Sequence, residues 1–446
     1  MSKSLRGLPT YPRRGGQGRR RRRVAQPGLA ARASGATPAD ALGYPGPSGC
    51  PWELAHSALQ VLAGSTNPAV LCASIGRVPR GNAGTLEGLS SSAHGVIGWD
   101  IGGAHVKAAR WQGGRIVDAA QWPCPLWQGM DRLDAALALA HARWPDLVAQ
   151  AQAVTMTGEM VDLFEHREQG VARIAARLAE TLPAPRFFAG DAAWATAAEA
   201  GAQWERIASA NWLATARHTA RALPADEGLL VDIGSTTTDL IAFRRGHVIT
   251  ESRSDAHRLA TGELVYQGVV RTPLCALARR IAWKGEPHNV MNEFFATTAD
   301  VYRLRGELAP AHDQHASADN APKDALHTRA RLARMIGLDE RDGSAVQWDA
   351  FAAAWREAQL AELREQLERV RALHDLGADA TLVAAGCGAF LAPELLPAGW
   401  RLASYAAQVA RIDDAAGAAL RSWVQVGAPA VAVASLYAEE SARCGW

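Results

Sequence analysis

The ordered apolar pattern of this 446-residue chain starts near residue 96. From there, short apolar runs bounded by Gly, Asp or Ser read as buried strands. Longer stretches with apolar residues three and four apart read as helices. Strands are predicted at 115–121, 152–157 and 186–189. Helices are predicted at 130–144, 169–181, 211–223 and 348–373, and Asp191 is placed as the N-cap of an alanine-rich helix. Residues 415–436 are apolar on balance, but Arg421, Gln425 and Pro429 interrupt them. That stretch predicts a packed helix and strand rather than a membrane span.

Two stretches share one grammar. Residues 230–243, LVDIGSTTTDLIAF, read as strand, tight turn, strand. Gly234 permits the turn and the close approach of a ligand. The N–H groups and hydroxyls of Ser235, Thr236 and Thr237 form a concave anion site, and Asp232 is poised to hold Mg²⁺ directly or through water. An ordinary hairpin with a hydroxyl-rich tip fits the same letters. Residues 96–110, VIGWDIGGAHVKAAR, repeat the pattern with Asp100, Gly102 and Gly103, and here His105 and Lys107 supply cationic donors. The tripeptide Asp-Ile-Gly at 100–102 and again at 232–234 implies a duplicated domain with a ligand between its halves. A third piece, TLVAAGCGAFL at 381–391, is a strand running into Gly386-Cys387-Gly388 before a helix start. Gly386 and Gly388 would let a nucleotide-like group lie against the backbone.

Further candidates follow along the chain. Glu159, after the strand at 152–157, is either a base or metal ligand at the cleft or an acid favoured by a helix N-terminus. Arg271, read as carried on a strand beside Thr272 and Pro273, suits a phosphate or carboxylate, or else a surface ion pair. Glu293 and Thr297 are expected on one helical face at i, i+4, with Asp300 a turn beyond; together they read as a substrate wall. His312, His315 and His327 invite a zinc site, but their polar, Pro- and Asn-containing segment reads as a mobile lid instead.

Charge is unevenly spread. Residues 1–93 hold twelve Lys or Arg against three acids, a net of +9 that leaves −7 for the remainder. This front, rich in Gly, Pro, Arg and Ser, is expected to be disordered. Arg19–Arg23 would suit RNA or an acidic surface, yet the expected origin is an inert tail or a start codon chosen too far upstream. No apolar segment of a secretory signal follows the arginines. Six cysteines without paired spacing indicate neither zinc nor a disulfide framework, which suits a reducing cytoplasm.

The order DIGG, DIGSTTTD, AAGCG resembles the superfamily of acetate and sugar kinases, chaperone ATPases and actin. More narrowly, GWDIGGAHVKAA (98–109), TGEMVDLF (157–164), DIGSTTTDL (232–240), GELVYQGVVRTP (262–273) and NEFFATTADVYRL (292–304) are similar to the hydantoinase/oxoprolinase-like proteins of tetrahydromethanopterin-linked one-carbon metabolism. Their archaeal members include a methanofuran-biosynthesis synthase that joins an aminomethylfuran diphosphate to γ-glutamyltyramine. The resemblance implies an α/β fold of two related ribonuclease-H-like domains with mixed sheets around a cleft. Its expected divisions are 96–227, 228–409 with a helical insertion around 283–375, and a packing element at 410–446. The implied activity is a Mg²⁺-dependent transfer with pyrophosphate leaving. Asp100 and Asp232 would hold the metal, Lys107, Ser235 and Thr236 would neutralise the diphosphate, and Glu159 would take the phenol proton. An ATP-dependent kinase or hydrolase in the same cleft, and a non-enzymatic nucleotide switch, stay open; the wall at 262–304 counts against the last. The expected partner is a small phosphorylated molecule, not a membrane or a nucleic acid.

Overall fold

The computed structural model describes residues 95–192 and 194–444. The basic extension and the expectations attached to it lie outside the described residues. The first six strands are β1 (Val96–Ile101), β2 (His105–Gln112), β3 (Arg115–Pro123), β4 (Ala151–Met156), β5 (Arg186–Phe188) and β6 (Trp194–Thr196). They form one mixed sheet in the order β3-β2-β1-β4-β5-β6. The next are β7 (Glu227–Ile233), β8 (Thr238–Arg244), β9 (His247–Val248) and β10 (Leu264–Val265). After a two-stranded ribbon, β11 (Arg280–Trp283) and β12 (Glu286–Asn289), come β13 (Thr381–Ala385) and β14 (Arg401–Ser404). The second mixed sheet runs β10-β8-β7-β13-β14. In each sheet a central strand pairs antiparallel with the next strand in sequence and parallel with a later one. The chain is thus two ribonuclease-H-like halves, the actin-like α/β arrangement.

Strand periodicity decides what each residue faces. Along β1, Ile97, Trp99 and Ile101 join the core under α1 (Asp131–Arg143) and α2 (Arg167–Thr181). Val96 points the other way, into a core shared with α3 (Asn211–Ala222) and with Leu230 of β7. On β7, Leu229, Val231 and Ile233 enter a third core. Asp100 and Asp232 therefore occupy the inward face of their strands, at corresponding C-terminal ends. Two helices fill the space between the sheets: α3 and a C-terminal helix rich in alanine.

The third core is covered by helices that follow β10. After α4 (Asp255–Thr261), which precedes β10, these are α5 (Thr298–Leu304), α6 (Ala325–Arg334) and the 29-residue α7 (Ala345–Leu373). Ser344 starts α7 with a capping box to Gln347, three residues before the helix expected from its apolar period. The described residues end in α8 (Ala418–Val426) and α9 (Ala428–Cys444). No described helix is long and apolar enough to cross a membrane.

Four expectations need correction. Residues 415–436 hold two helices broken at Gly427 rather than helix and strand. Asp191 lies in a 3-10 turn, and the N-cap of the short alanine-rich helix is Thr196 in a capping box with Glu199. Arg271 follows β10 in irregular chain whose N–H groups bond to the 234–235 turn instead of to a strand. Glu293 sits in a bend, and Thr297 is the N-cap of α5, so the two share no helical face.

Candidate functional site

The two hairpins close in the same way. The Gly102 N–H donates to the carbonyl of His105 at 2.9 Å, and that of Gly234 to Thr237 at 2.8 Å. The carbonyls at the second tip are tied down from outside. Val269 N–H donates to Gly234 O, while Val270 and Arg271 N–H donate to Ser235 O. Ser235 and Thr236 N–H find no protein acceptor among the described residues. Donors left free at a tight turn are the elements of an anion nest.

Asp100, Lys107, Asp232 and the tip residues Gly102, Gly103, Gly234, Ser235, Thr236 and Thr237 line one cavity of about 560 Å³. Asp100 lies opposite Lys107 in the β1–β2 ladder, with Nζ to Oδ2 3.5 Å, while its Oδ1 is buried and unpartnered. Burial works against the Lys107 charge, but Asp100 and Asp232 outweigh it and hold the ammonium. Asp232 faces another carboxylate, Asp239. Burial first, and Asp239 second, push Asp232 up to about 7. Asp239 in turn pairs with buried Arg258, which bonds Asp255 at 2.7 Å and lies over the Trp212 ring at 4.4 Å. Arg271 closes the rim: its guanidinium sits 5.0 Å over Trp127, 3.5 Å from Thr236 Oγ1, with no carboxylate partner among the described residues.

The hydantoinase/oxoprolinase family model matches residues 150–410. The chain belongs to the hydantoinase/oxoprolinase family. It is 31% identical over 245 residues, 55% of this chain and 72% of the relative, to (4-{4-[2-(gamma-L-glutamylamino)ethyl]phenoxymethyl}furan-2-yl)methanamine synthase of Methanocaldococcus jannaschii. The protein of the same name from Methanococcus vannielii is 33% identical over 111 residues, 25% of this chain and half of that relative. Among solved structures, nucleotide-free acetone carboxylase aligns over 77% of this chain and 70% of its own at 12% identity, with TM-score 0.45. A ROK family glucokinase from Streptomyces griseus aligns over 77% and 98% at 15% identity, with TM-score 0.35.

Not every candidate of this hydantoinase/oxoprolinase family chain reaches the cavity. Glu159 is 1% exposed and lies behind the wall, where its Oε1 accepts from Ser209 Oγ at 2.8 Å. Gly386 and Gly388 donate their N–H groups to Gln425 and Ile233 carbonyls. A Cβ at Gly386 would sit 2.2 Å from Ile233 O, so close strand packing explains these glycines. Asp300 is buried under Arg303 and Arg331 at 2.7 and 2.8 Å and also accepts from Thr297 N–H, a structural anchor rather than a wall residue. Thr272 and Thr297 line a second cavity together with Arg271; Glu293 lines neither. His105 is buried and held neutral by that burial and by His315 and Lys107, so on the first hairpin Lys107 alone supplies the cation.

The three other histidines diverge. His315 packs its ring on His105 at 4.4 Å, His312 contacts Trp423, and His327 bonds Asp324 beside it. The segment between them is tethered by Asp313, which pairs with Arg303 and Lys323.

Asp239, Asp255 and Arg258 line the cavity and were missed. Counting outward from the Gly234–Thr237 closure puts position 239 opposite 232, so Asp239 was recoverable from the hairpin. Arg258 carried no local signal, because only the fold brings α4 to β8.

Five carboxylates and three cations line the cavity: Asp100, Asp162, Asp232, Asp239 and Asp255 against Lys107, Arg258 and Arg271. That excess, the unpartnered Asp100 Oδ1 and the like-charged Asp232–Asp239 pair suit a divalent cation. Mg²⁺ binds through one or two carboxylates plus phosphate oxygens, so Asp100 and Asp232 fit it. No cluster of three or more His, Cys, Asp or Glu able to hold a metal occurs among the described residues.

Proposed function

We propose that this protein is a Mg²⁺-dependent transferase of methanofuran-type cofactor biosynthesis. It joins the methylene carbon of an aminomethylfuran diphosphate to a glutamyltyramine phenol oxygen and releases pyrophosphate. The observation that carries this reading is the convergence on one cavity of Lys107, the 234–237 turn donors and the carboxylates of two duplicated hairpins. The relative from Methanocaldococcus jannaschii, named for a furan-methyl aryl ether amine, supplies the substrate class.

Pyrophosphate is a poor leaving group until its developing charge is met. Lys107, the Ser235 and Thr236 N–H groups and hydroxyls, and Arg271 are donors fixed before reaction, so they reorganise little as charge develops. Asp100 and Asp232 would hold Mg²⁺, which supplies electrostatic neutralisation of the diphosphate when bound. Asp239 takes no such part, because Arg258 already engages it.

Thermal shift of the full chain with Mg²⁺ plus pyrophosphate, and separately with Mg²⁺ plus ATP, tests the reading. A ligand present at 100 times its Kd adds about 2.7 kcal/mol to native stability. Stabilisation by pyrophosphate, with ether product seen by mass spectrometry from the two substrates, is the expected result. Stabilisation by ATP alone, abolished in Asp232→Ala, would replace the transferase with an ATP-dependent kinase or hydrolase.

A further inference from the structure

A second cavity, of about 680 Å³, adjoins the first. Trp127, Thr236, Tyr266 and Arg271 line both, so the two meet at the rim of the phosphate turn. Its volume lies within the roughly 300–1,000 Å³ of small-molecule sites. The walls are aromatic and unusually open: Trp127 is 39% exposed, Phe294 56% and Tyr266 60%. Large rings left in water around one concavity, beside an unpaired guanidinium, mark a binding surface rather than packing. His315, kept neutral at about 4 by burial first and then by Arg271, adds an uncharged ring to the wall. Away from the shared residues, the lining turns polar, with Arg303, Asp313, Gln314 and Ser317.

We infer that this second cavity is the acceptor subsite, and that it takes a phenol carrying a zwitterionic tail. The inference rests on the transferase reading above. The phenol ring lies among Trp127, Phe294 and Tyr266, and its oxygen points to the seam at Thr236 and Arg271, where the diphosphate of the first cavity ends. The tail's carboxylate and ammonium lie at the polar end, beside Gln314, Ser317 and the Arg303–Asp313 ion pair. At the seam the phenol oxygen forms the ether bond to the methylene carbon as the bond from that carbon to the diphosphate oxygen breaks. The phenol proton leaves to an oxygen of the departing pyrophosphate. This needs no base from the protein, in keeping with Glu159 lying outside the cavity.

Calorimetric titration of 4-[2-(γ-L-glutamylamino)ethyl]phenol into the full chain saturated with Mg²⁺ and pyrophosphate tests the subsite. The wild type should bind, and Phe294→Ala should bind about tenfold more weakly, the loss of one aromatic contact. Phe294 is exposed and outside the first cavity, so its pyrophosphate stabilisation should stay that of the wild type. A second variant, Gln314→Trp, fills the polar end and should also weaken the phenol. Phenol binding that neither variant changes, or no phenol binding at all, overturns the subsite while pyrophosphate stabilisation keeps the transferase reading alive. Loss of pyrophosphate stabilisation in the wild type removes that reading instead.

Discussion

Asp232 faces Asp239 across the β7–β8 ladder, whereas its counterpart Asp100 faces Lys107 across β1–β2. One duplicated position thus carries an ion pair in one half and a like-charge pair in the other. The consequence is a carboxyl at Asp232 pushed up to about 7, by burial and then by Asp239. A carboxyl whose native pKa exceeds its unfolded value favours the fold when protonated. Its contribution is complete below about pH 4 and is lost as pH rises towards 7. Asp232→Asn removes that loss. Its melting temperature should exceed the wild type by a few degrees at pH 8, about 1–2 kcal/mol once contact with cavity water is allowed for, and match it at pH 4. Melting curves at the two pH values, without Mg²⁺, decide it; an equal gain at both would locate the effect elsewhere.

The ion pair of Lys107 with Asp100 and its proposed contact with the diphosphate can be separated. Lys107→Met leaves Asp100 buried with no counter-charge, a loss of about 3 kcal/mol for a pair this enclosed. Adding Asp100→Asn should restore most of that stability, since neither charge then remains buried alone. Pyrophosphate should stabilise neither variant. A double variant that regains pyrophosphate binding along with stability would show that Lys107 serves the fold alone.

Glu159 and Ser209 offer a sharper test of where the chemistry lies. Ser209 adopts a positive φ of 51°, uncommon for a residue with a side chain, and its hydroxyl donates to Glu159. Glu159 is therefore a positioning residue for a strained wall segment. Glu159→Gln keeps the accepting oxygen and should hold kcat within about threefold, whereas a general base would lose roughly 10²–10⁴-fold. A flat change in KM with preserved kcat would match the positioning role.

Much of this was legible in the letters, for a physical reason. The hairpin tips are local: glycine, hydroxyls and a preceding aspartate within six residues set strand, turn and donors without help from the rest of the chain. The duplication followed from the repeated Asp-Ile-Gly tripeptide, and the fold class from the family resemblance that these stretches carry. What escaped was non-local. Arg258 reaches Asp239 only because α4 folds back on β8, and Trp127 lies under Arg271 only because the fold brings the turn after β3, held to the first hairpin, against residue 271. Glu293, Thr297 and Asp300 looked like one helical face, but a capping box at Thr297 starts the helix after Glu293. Gly386 and Gly388 looked like ligand contacts; close approach was right, yet the neighbour is β7 rather than a nucleotide.

Two glycines separate the needs of the fold from those of the site. At Gly98 on β1, a Cβ would lie 2.1 Å from Ala430 O and 2.7 Å from Ala434 N, the backbone of α9. At Gly268 it would lie 2.5 Å from Gly234 O and Thr236 N, the backbone of the 234–237 turn. Neither neighbour can step aside as a flexible side chain would. Gly98→Ala should cost about 3 kcal/mol by forcing α9 off the sheet, with pyrophosphate affinity unchanged wherever the protein is folded. Gly268→Ala should displace the turn and weaken pyrophosphate about tenfold or more, because donors fixed in place lose strength steeply once misaligned. Melting temperature and pyrophosphate Kd, measured on both variants at a temperature where each is native, give opposite patterns on this account. Equal Kd values would mean that the 268–271 segment does not hold the turn.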